Sequence, residues 1–363
     1  MSDEINYDRR RFLGAAALAV AGARAGGIAG LLEQLGCAVS SVSAATELAS
    51  LTGANGWLNS PPLTAEALKG KVVVVDFCTY SCINWLRTLP YVQAWADKYK
   101  DHGLVVIGAQ TPEFEFEKDI DSVQRAAKAM RVTYPIAIDN DYAIWHGFNN
   151  EYWPAAYFVD AQGRVRHHQF GEGDYEQQER EIQRLLGAAG FSGFSRELAS
   201  VEAGGVFLAA DWGSLKSPET YVGYARGENF ASPGGGASDT ARVYSAPATL
   251  RLNQWALVGN WTIGGQPTAL NAPNGRIVMR FHARDVNLVM GPPKGGSPVR
   301  FRVRVDGQPP GVAHGLDVDA QGNGTAIDQR LYQLVRQPKP IDDRTFEIEF
   351  LDAGVEAYVF TFG

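Results

Sequence analysis

Cysteine is scarce in this chain of 363 residues, with three in all: Cys37, Cys78 and Cys82. So few thiols do not staple a fold with disulfides, and the chain has to be held together by its core. Long apolar runs are missing too. The one N-terminal candidate, Ala15 to Ala23, is broken by Arg24 and falls well short of the roughly 20 residues that a membrane-spanning helix needs. There is no excess of positive charge, since 33 Lys and Arg stand against 40 Asp and Glu for a net charge of -7. That balance excludes a nucleic-acid surface, which is built from clustered cations. No G-x-S-x-G, P-loop or dinucleotide fingerprint occurs, so none of the hydrolase or nucleotide-binding chemistries those motifs mark is expected. His167 and His168 are the only histidine pair, but neighbours in a strand point to opposite faces and do not share an ion. Neither a metal nor a cofactor is expected.

What is there describes a soluble globular protein. The chain is 45% hydrophobic and 20% charged with 40 glycines, enough material for two domains with many turns. Asp8-Arg9-Arg10-Arg11-Phe12-Leu13-Gly14 and the small-residue apolar run after it resemble a twin-arginine export signal, expected over 1–45 and removed near Ser43-Ala44-Ala45. Cys37, preceded by Leu35-Gly36 and with Gln34 three residues before it, makes a poor lipid-attachment site. The mature chain then keeps Cys78 and Cys82, is extracytoplasmic and does not span the membrane.

Residues 46–62, ending in Asn55-Gly56 and Pro61-Pro62, read as a linker. From Lys71 the pattern alternates between buried strands and amphipathic helices: strand 72–77, helix 82–100, strand 104–109, helix 120–130, strand 135–138, a hairpin of 157–160 with 165–169, and helix 176–186. Asp174 and Gln177 suggest a capping box for the last helix. This α/β domain covers 63–190. Residues 191–205 lack a period and read as a second linker. From 206 to 363 short segments at 277–282, 286–290, 299–305, 331–335, 346–350 and 357–362 are separated by Gly, Pro, Asn and Asp. Val299 to Val305 alternates valine or phenylalanine with arginine, the period of a half-buried strand. An all-β antiparallel sandwich, jelly-roll-like, is the simplest fold for that half.

The stretch Asp76-Phe77-Cys78-Thr79-Tyr80-Ser81-Cys82-Ile83-Asn84-Trp85-Leu86-Arg87 carries the chemistry. It runs from a buried strand through a turn into a helix, which places Cys82 at a helix start. Backbone NH groups and the positive end of the helix dipole are expected to lower its thiol pKa and to make it nucleophilic. This wording, with Thr88-Leu89-Pro90 after it, resembles the TlpA/DipZ-like branch of the thioredoxin-like (redoxin) family. The resemblance implies a thioredoxin-like fold, a cis-proline at Trp153-Pro154 facing the reactive cysteine, and a carbohydrate-binding-module-like sandwich behind it. It also implies a C-x-x-C pair, and here the chain departs: Trp85 stands where the second cysteine belongs, and Cys78 where the family carries tryptophan.

Thiol-disulfide exchange needs an attacking thiolate and a second thiol that releases the mixed disulfide. Cys82 is the candidate nucleophile, and Cys78 the candidate resolving thiol if the two meet in space. Pro154, Trp153, Trp85, Arg87 and Thr79 are the candidate groove residues, Arg87 alternatively being a solvent-facing helix residue. The partners are protein thiols or disulfides. A lone cysteine also suits attack on a peroxide to give a sulfenic acid, and Thr79-Tyr80-Ser81-Cys82 matches the T-x-x-C wording of peroxiredoxins, with Val75 in place of their upstream proline. A third reading is a redox-inactive binding module that docks a ligand on Trp85. In the second half, Trp255, Trp261 and Tyr332 suggest an aromatic platform for a glycan, with core packing as the alternative.

Overall fold

A computed structural model describes residues 47–363, which fall in one compact unit. The expected export signal, its cleavage point and Cys37 lie outside the described residues. Among the described residues no helix is long and apolar enough to cross a membrane.

The first sheet has six strands, β1 (Gly56–Leu58), β2 (Val72–Cys78), β3 (Leu104–Gln110), β4 (Ile136–Ile138), β5 (Ala155–Val159) and β6 (Val165–Phe170), in the order β1-β4-β3-β2-β5-β6. β2, β3 and β4 run parallel, while β5 and β6 return antiparallel. The helices are α1 (Ile83–Tyr99), α2 (Ile120–Ala129), α3 (Ala143–Gly147) and α4 (Tyr175–Ala188). β2 is buried on both faces, which is why it reads as an apolar run interrupted only by Asp76. Val72, Val74 and Cys78 face the core shared with α1, α2 and α4. Val73, Val75 and Phe77 face Trp145, Phe148 and Tyr157 on the other side. This is the thioredoxin-like α/β arrangement.

The two stretches read as linkers differ in what they contain. In 46–62, a helical turn at Glu47–Gly53 buries Leu48 and Leu51, and β1 pairs with β4 at the sheet edge. The Gly and Pro residues bound these elements instead of dissolving them. In 191–205 there is no strand or α-helix, yet the segment is strapped down: the Ala199 NH donates to the Glu179 carboxylate at 2.8 Å, and the Phe194 ring meets Tyr99 edge-on at 5.7 Å. Phe191 lies over Gly103, where a Cβ would come within 2.3 Å of its ring and where φ is +88°, so only glycine serves. Asp174 does precede α4, without a side-chain cap hydrogen bond; Gln178 Nε2 donates to the Gly173 carbonyl instead.

The second half is antiparallel throughout its named strands: β7 (Thr220–Tyr221), β8 (Ala241–Tyr244), β9 (Trp255–Ile263), β10 (Thr268–Leu270), β11 (Gly275–Phe281), β12 (Asp285–Gly291), β13 (Val299–Val305), β14 (Asn323–Ala326), β15 (Arg330–Arg336), β16 (Arg344–Phe350) and β17 (Glu356–Phe362). They form two layers over one core. β14, β13, β16 and β11 make one, β10, β17, β12 and β15 the other, and β9 joins them. The first half of β9 pairs with β11 and its end with β10. The crossing falls at Gly259, whose φ is +98°, the kind of bend by which a strand changes sheets. Val289, Leu331, Tyr358 and Val359 of this half are buried in the core of the first domain, against the α1 and α2 face. The two halves therefore share apolar burial on the side of the sheet that carries the cysteines.

Candidate functional site

The turn between β2 and α1 is closed by the Cys82 NH donating to the Thr79 carbonyl at 3.1 Å, and the Cys82 carbonyl accepts the first helical bond from Leu86 at 2.9 Å. Cys82 is thus the N-cap residue of α1, in extended conformation, with no hydrogen bond from its side chain to the helix. It is half-buried, Cys78 is buried, and both are free thiols. The expected acidic thiol is not found. Burial pushes the Cys82 thiol well up, the charge of Glu113 adds to that, and the NH groups of Trp85 and Asn84 counter only part of it. The helix terminus acts in the expected direction but is outweighed by desolvation.

Cys78 sits beneath, in different company. With Tyr80, Trp85, Gln110 and Tyr134 it lines a small cavity closed by α2. Its sulfur lies 4.0 Å from Gln110 Oε1, and burial raises its thiol far above the ordinary value. Trp85 is 3% exposed and donates its indole NH to Asp76 Oδ2 at 2.9 Å. Asp76 is fully buried and its carboxyl is pushed up to about 7 by that burial, against the indole hydrogen bond. Asp76 Oδ1 and the hydroxyls of Tyr80 and Tyr134 find no hydrogen-bond partner among the described residues.

The other candidates separate into those near the turn and those elsewhere. Thr79 is fully buried and accepts from Gln110 Nε2 at 3.4 Å. Arg87 is neither solvent-facing nor committed to the thiol: at 2% exposure it pairs with Glu172 at 3.0 Å and donates to the Phe362 carbonyl of β17 at 3.2 Å. It ties α1 to the second half. The Trp153–Pro154 peptide is cis. Trp153 packs on Trp145 at 4.2 Å and donates to the Thr111 carbonyl at 3.0 Å, so the loops after β3 and before β5 are joined. His167 stacks near Phe158 and His168 near Phe170. Among the described residues no group of three or more His, Cys, Asp or Glu has the arrangement of a metal site.

Three acidic residues and two from the far half were missed from sequence. Glu117, fully buried and pushed up to about 7 by burial, accepts from Ser81 Oγ at 2.5 Å and from the NH groups of Glu113 and Phe114 at 2.6 and 3.0 Å. It seats the loop after β3 against the cysteine turn. Glu113 in that loop meets Arg226 at 2.6 Å and accepts a hydrogen bond from the Tyr221 hydroxyl. Asp76 had a signal, a charge inside an apolar strand. Glu117 and Glu113 had none, because Ser81, Arg226 and Tyr221, which tie them to the turn and to the far half, are distant in sequence. The platform residues Trp255, Trp261 and Tyr332 are core: each is 2% exposed or less, and their polar atoms are spent on the carbonyls of Glu228, Val258 and Asp328.

Two family models match the chain. Residues 50–168 match the AhpC/TSA family, and residues 217–363 match a thioredoxin-like C-terminal domain. The protein DipZ of Mycobacterium bovis and its counterpart in Mycobacterium tuberculosis are each 41% identical over 245 residues, which is 66% of this chain and 34% of theirs. The chain thus spans about a third of the length of those curated relatives. The thiol-disulfide oxidoreductase YkuV of Bacillus subtilis is 32% identical over 136 residues, covering 38% of this chain and 91% of YkuV. A thioredoxin-like protein solved in its oxidized form in solution is 33% identical, with a TM-score of 0.35 over 37% of this chain and 90% of that one.

Proposed function

This chain belongs to the thioredoxin-like (redoxin) family, with DipZ and TlpA-like relatives and a thioredoxin-like C-terminal domain, and from that premise we propose that it is a thiol-disulfide oxidoreductase acting through Cys82. The observation that carries the proposal is the contrast between its two described thiols. Cys82 caps α1 and reaches the surface, whereas Cys78 is enclosed. The Cys82 thiolate attacks one sulfur of a partner protein's disulfide. A mixed disulfide forms as the partner's S–S bond breaks, and the departing sulfur takes up a proton. Because Trp85 fills the place of the second family cysteine and Cys78 is enclosed, a thiol from outside attacks the mixed disulfide and restores Cys82. The groove is shaped by Trp153 and Pro154, with the buried Thr79, Trp85 and Arg87 as its support from beneath.

The export signal over 1–45, an extracytoplasmic location and a protein or glycan ligand for the C-terminal half belong to the same proposal. Trp255, Trp261 and Tyr332 do not supply the surface for such a ligand, since they are core. A protein disulfide such as that of insulin tests the activity. The parent reduces it in the presence of a monothiol, and Cys82→Ser reduces it no faster than buffer. If Cys82→Ser keeps the parent rate, the proposal fails.

A second reading, a one-cysteine peroxidase, is favoured by the AhpC/TSA match and by the enclosed Cys78. One equivalent of hydrogen peroxide then converts Cys82 alone to a sulfenic acid, read by mass after trapping. A protein that does neither is the redox-inactive binding module.

A further inference from the structure

The approach of the second half to the cysteine turn is specific in its charges. The loop after β3 is held to the turn through Glu117, which binds Ser81 Oγ on one oxygen and the NH groups of Glu113 and Phe114 on the other. The Glu113 side chain is 8% exposed. Its Oε1 is met from the C-terminal domain by the Arg226 guanidinium at 2.6 Å and by the Tyr221 hydroxyl. The guanidinium lies over the Tyr221 ring at 3.5 Å, and that ring belongs to β7, paired with β17. Around it, Phe114 and Phe116 pack against Tyr358 at 5.0 and 4.8 Å. A carboxylate beside a thiol disfavours the thiolate, and a cation on that carboxylate cancels the effect.

We propose that the C-terminal domain tunes the reactivity of Cys82 through Arg226, a positioning residue that neutralises Glu113 in the loop that Glu117 holds against the cysteine turn. The inference rests on Cys82 being the working thiol. The titratable groups that act on it electrostatically include Glu113 from the loop after β3, Glu219 from the C-terminal domain and Cys78 beneath. Arg226 and Tyr221 hydrogen-bond to Glu113, and the Arg226 charge also acts on Glu219. The Arg87 guanidinium is committed elsewhere, to Glu172 and the Phe362 carbonyl. The C-terminal half is in this view part of the thiol site and more than an appended module.

The test is a charge cycle on the full chain, reading alkylation of Cys82 by iodoacetamide peptide by peptide in the mass spectrometer between pH 6.5 and 10. Arg226→Gln is expected to slow alkylation at pH 8 about three- to tenfold, a shift of up to one pKa unit. Glu113→Gln is expected to speed it by a similar factor. The double variant returns to within about threefold of the parent, the signature of a coupled pair, and Arg226→Lys rescues the rate. A merely structural role for Arg226 predicts the opposite sign, because loosening the domain contact exposes Cys82 and speeds alkylation. That outcome, or a rate within twofold of the parent in Arg226→Gln, overturns the proposal. Disulfide exchange is measured separately: if the cycle holds and no exchange occurs, the activity fails and the tuning stands.

Discussion

Cys78 and Cys82 are four residues apart and of one chemical type, yet they occupy opposite situations. The floor around Cys78 is made by the first domain alone: Asp76, Trp85, Gln110 and Tyr134 come from its strands, its first helix and the loop before β4. The rim around Cys82 is made by three parts of the chain, the turn itself, the loop after β3 and the C-terminal domain. The floor is closed and polar in a few unpartnered atoms. The rim is half-open and charged. A thiol's chemistry here is set by what surrounds it and not by its nearness to a motif. With cysteine at position 78 and tryptophan at position 85, one thiol lies in the core and an indole donates to Asp76.

The largest expected effect is on the floor. Trp85→Ala removes a 3%-exposed indole and leaves Asp76 without its donor, which should cost about 3–5 kcal/mol in urea unfolding. The paired exchange Cys78→Trp with Trp85→Cys keeps the volume and should lose less than half as much. It also places two thiols at positions 82 and 85, on one face of the first helical turn. A reducible disulfide between them, seen by mass after alkylation, would show that the swap alone separates this chain from a dithiol. Two free thiols in that variant would mean that the difference between floor and rim lies deeper than the exchange.

Next in size is the dependence on pH, which separates floor from rim by way of their carboxyls. Asp76 and Glu117 are each pushed up to about 7 by burial, above their values of roughly 4 in an unfolded chain. The folded protein then holds protons that the unfolded chain has released, so stability falls as pH rises. The contribution is complete below pH 4 and is lost as pH passes through 7. Between pH 5 and 8 the unfolding free energy should drop by roughly 2–3 kcal/mol for each of the two groups. Asp76→Asn should remove the floor's share of that slope and Glu117→Gln the rim's share. A flat profile in the parent would contradict the burial of both groups.

These residues also mark what a sequence can tell. The strands read at 72–77 and 104–109, the helix after Cys82 and six strands of the second half were legible, because period and turn residues are local, while the cis-proline position came from the family resemblance alone. β9 was not, since Gly259 and Asn260 break its pattern at the point where it changes layers. The turn of helix at 47–53 was hidden for the reverse reason, its flanking Gly and Pro residues resembling a linker. The state of the Cys82 thiol was read from the helix start alone. Glu113 and Arg226 are 113 residues apart, and the burial that decides the thiol comes from contacts between distant parts of the chain.

The smallest effect sharpens the comparison most. Cys78→Ala deletes one sulfur from a cavity wall that already has room beside it, so its cost should be about 1 kcal/mol in urea unfolding. Disulfide exchange should stay within about twofold of the parent, because resolution by an outside thiol never passes through the floor. The same assay at rising concentrations of monothiol separates the alternatives. If Cys78 resolves the mixed disulfide, its loss makes the rate depend steeply on the monothiol, with a trapped Cys82 adduct visible by mass at low concentration. If it does not, parent and variant show the same dependence and the same adduct. Two thiols so differently housed can then be assigned by one substitution that leaves Cys82 and every charge of the rim in place.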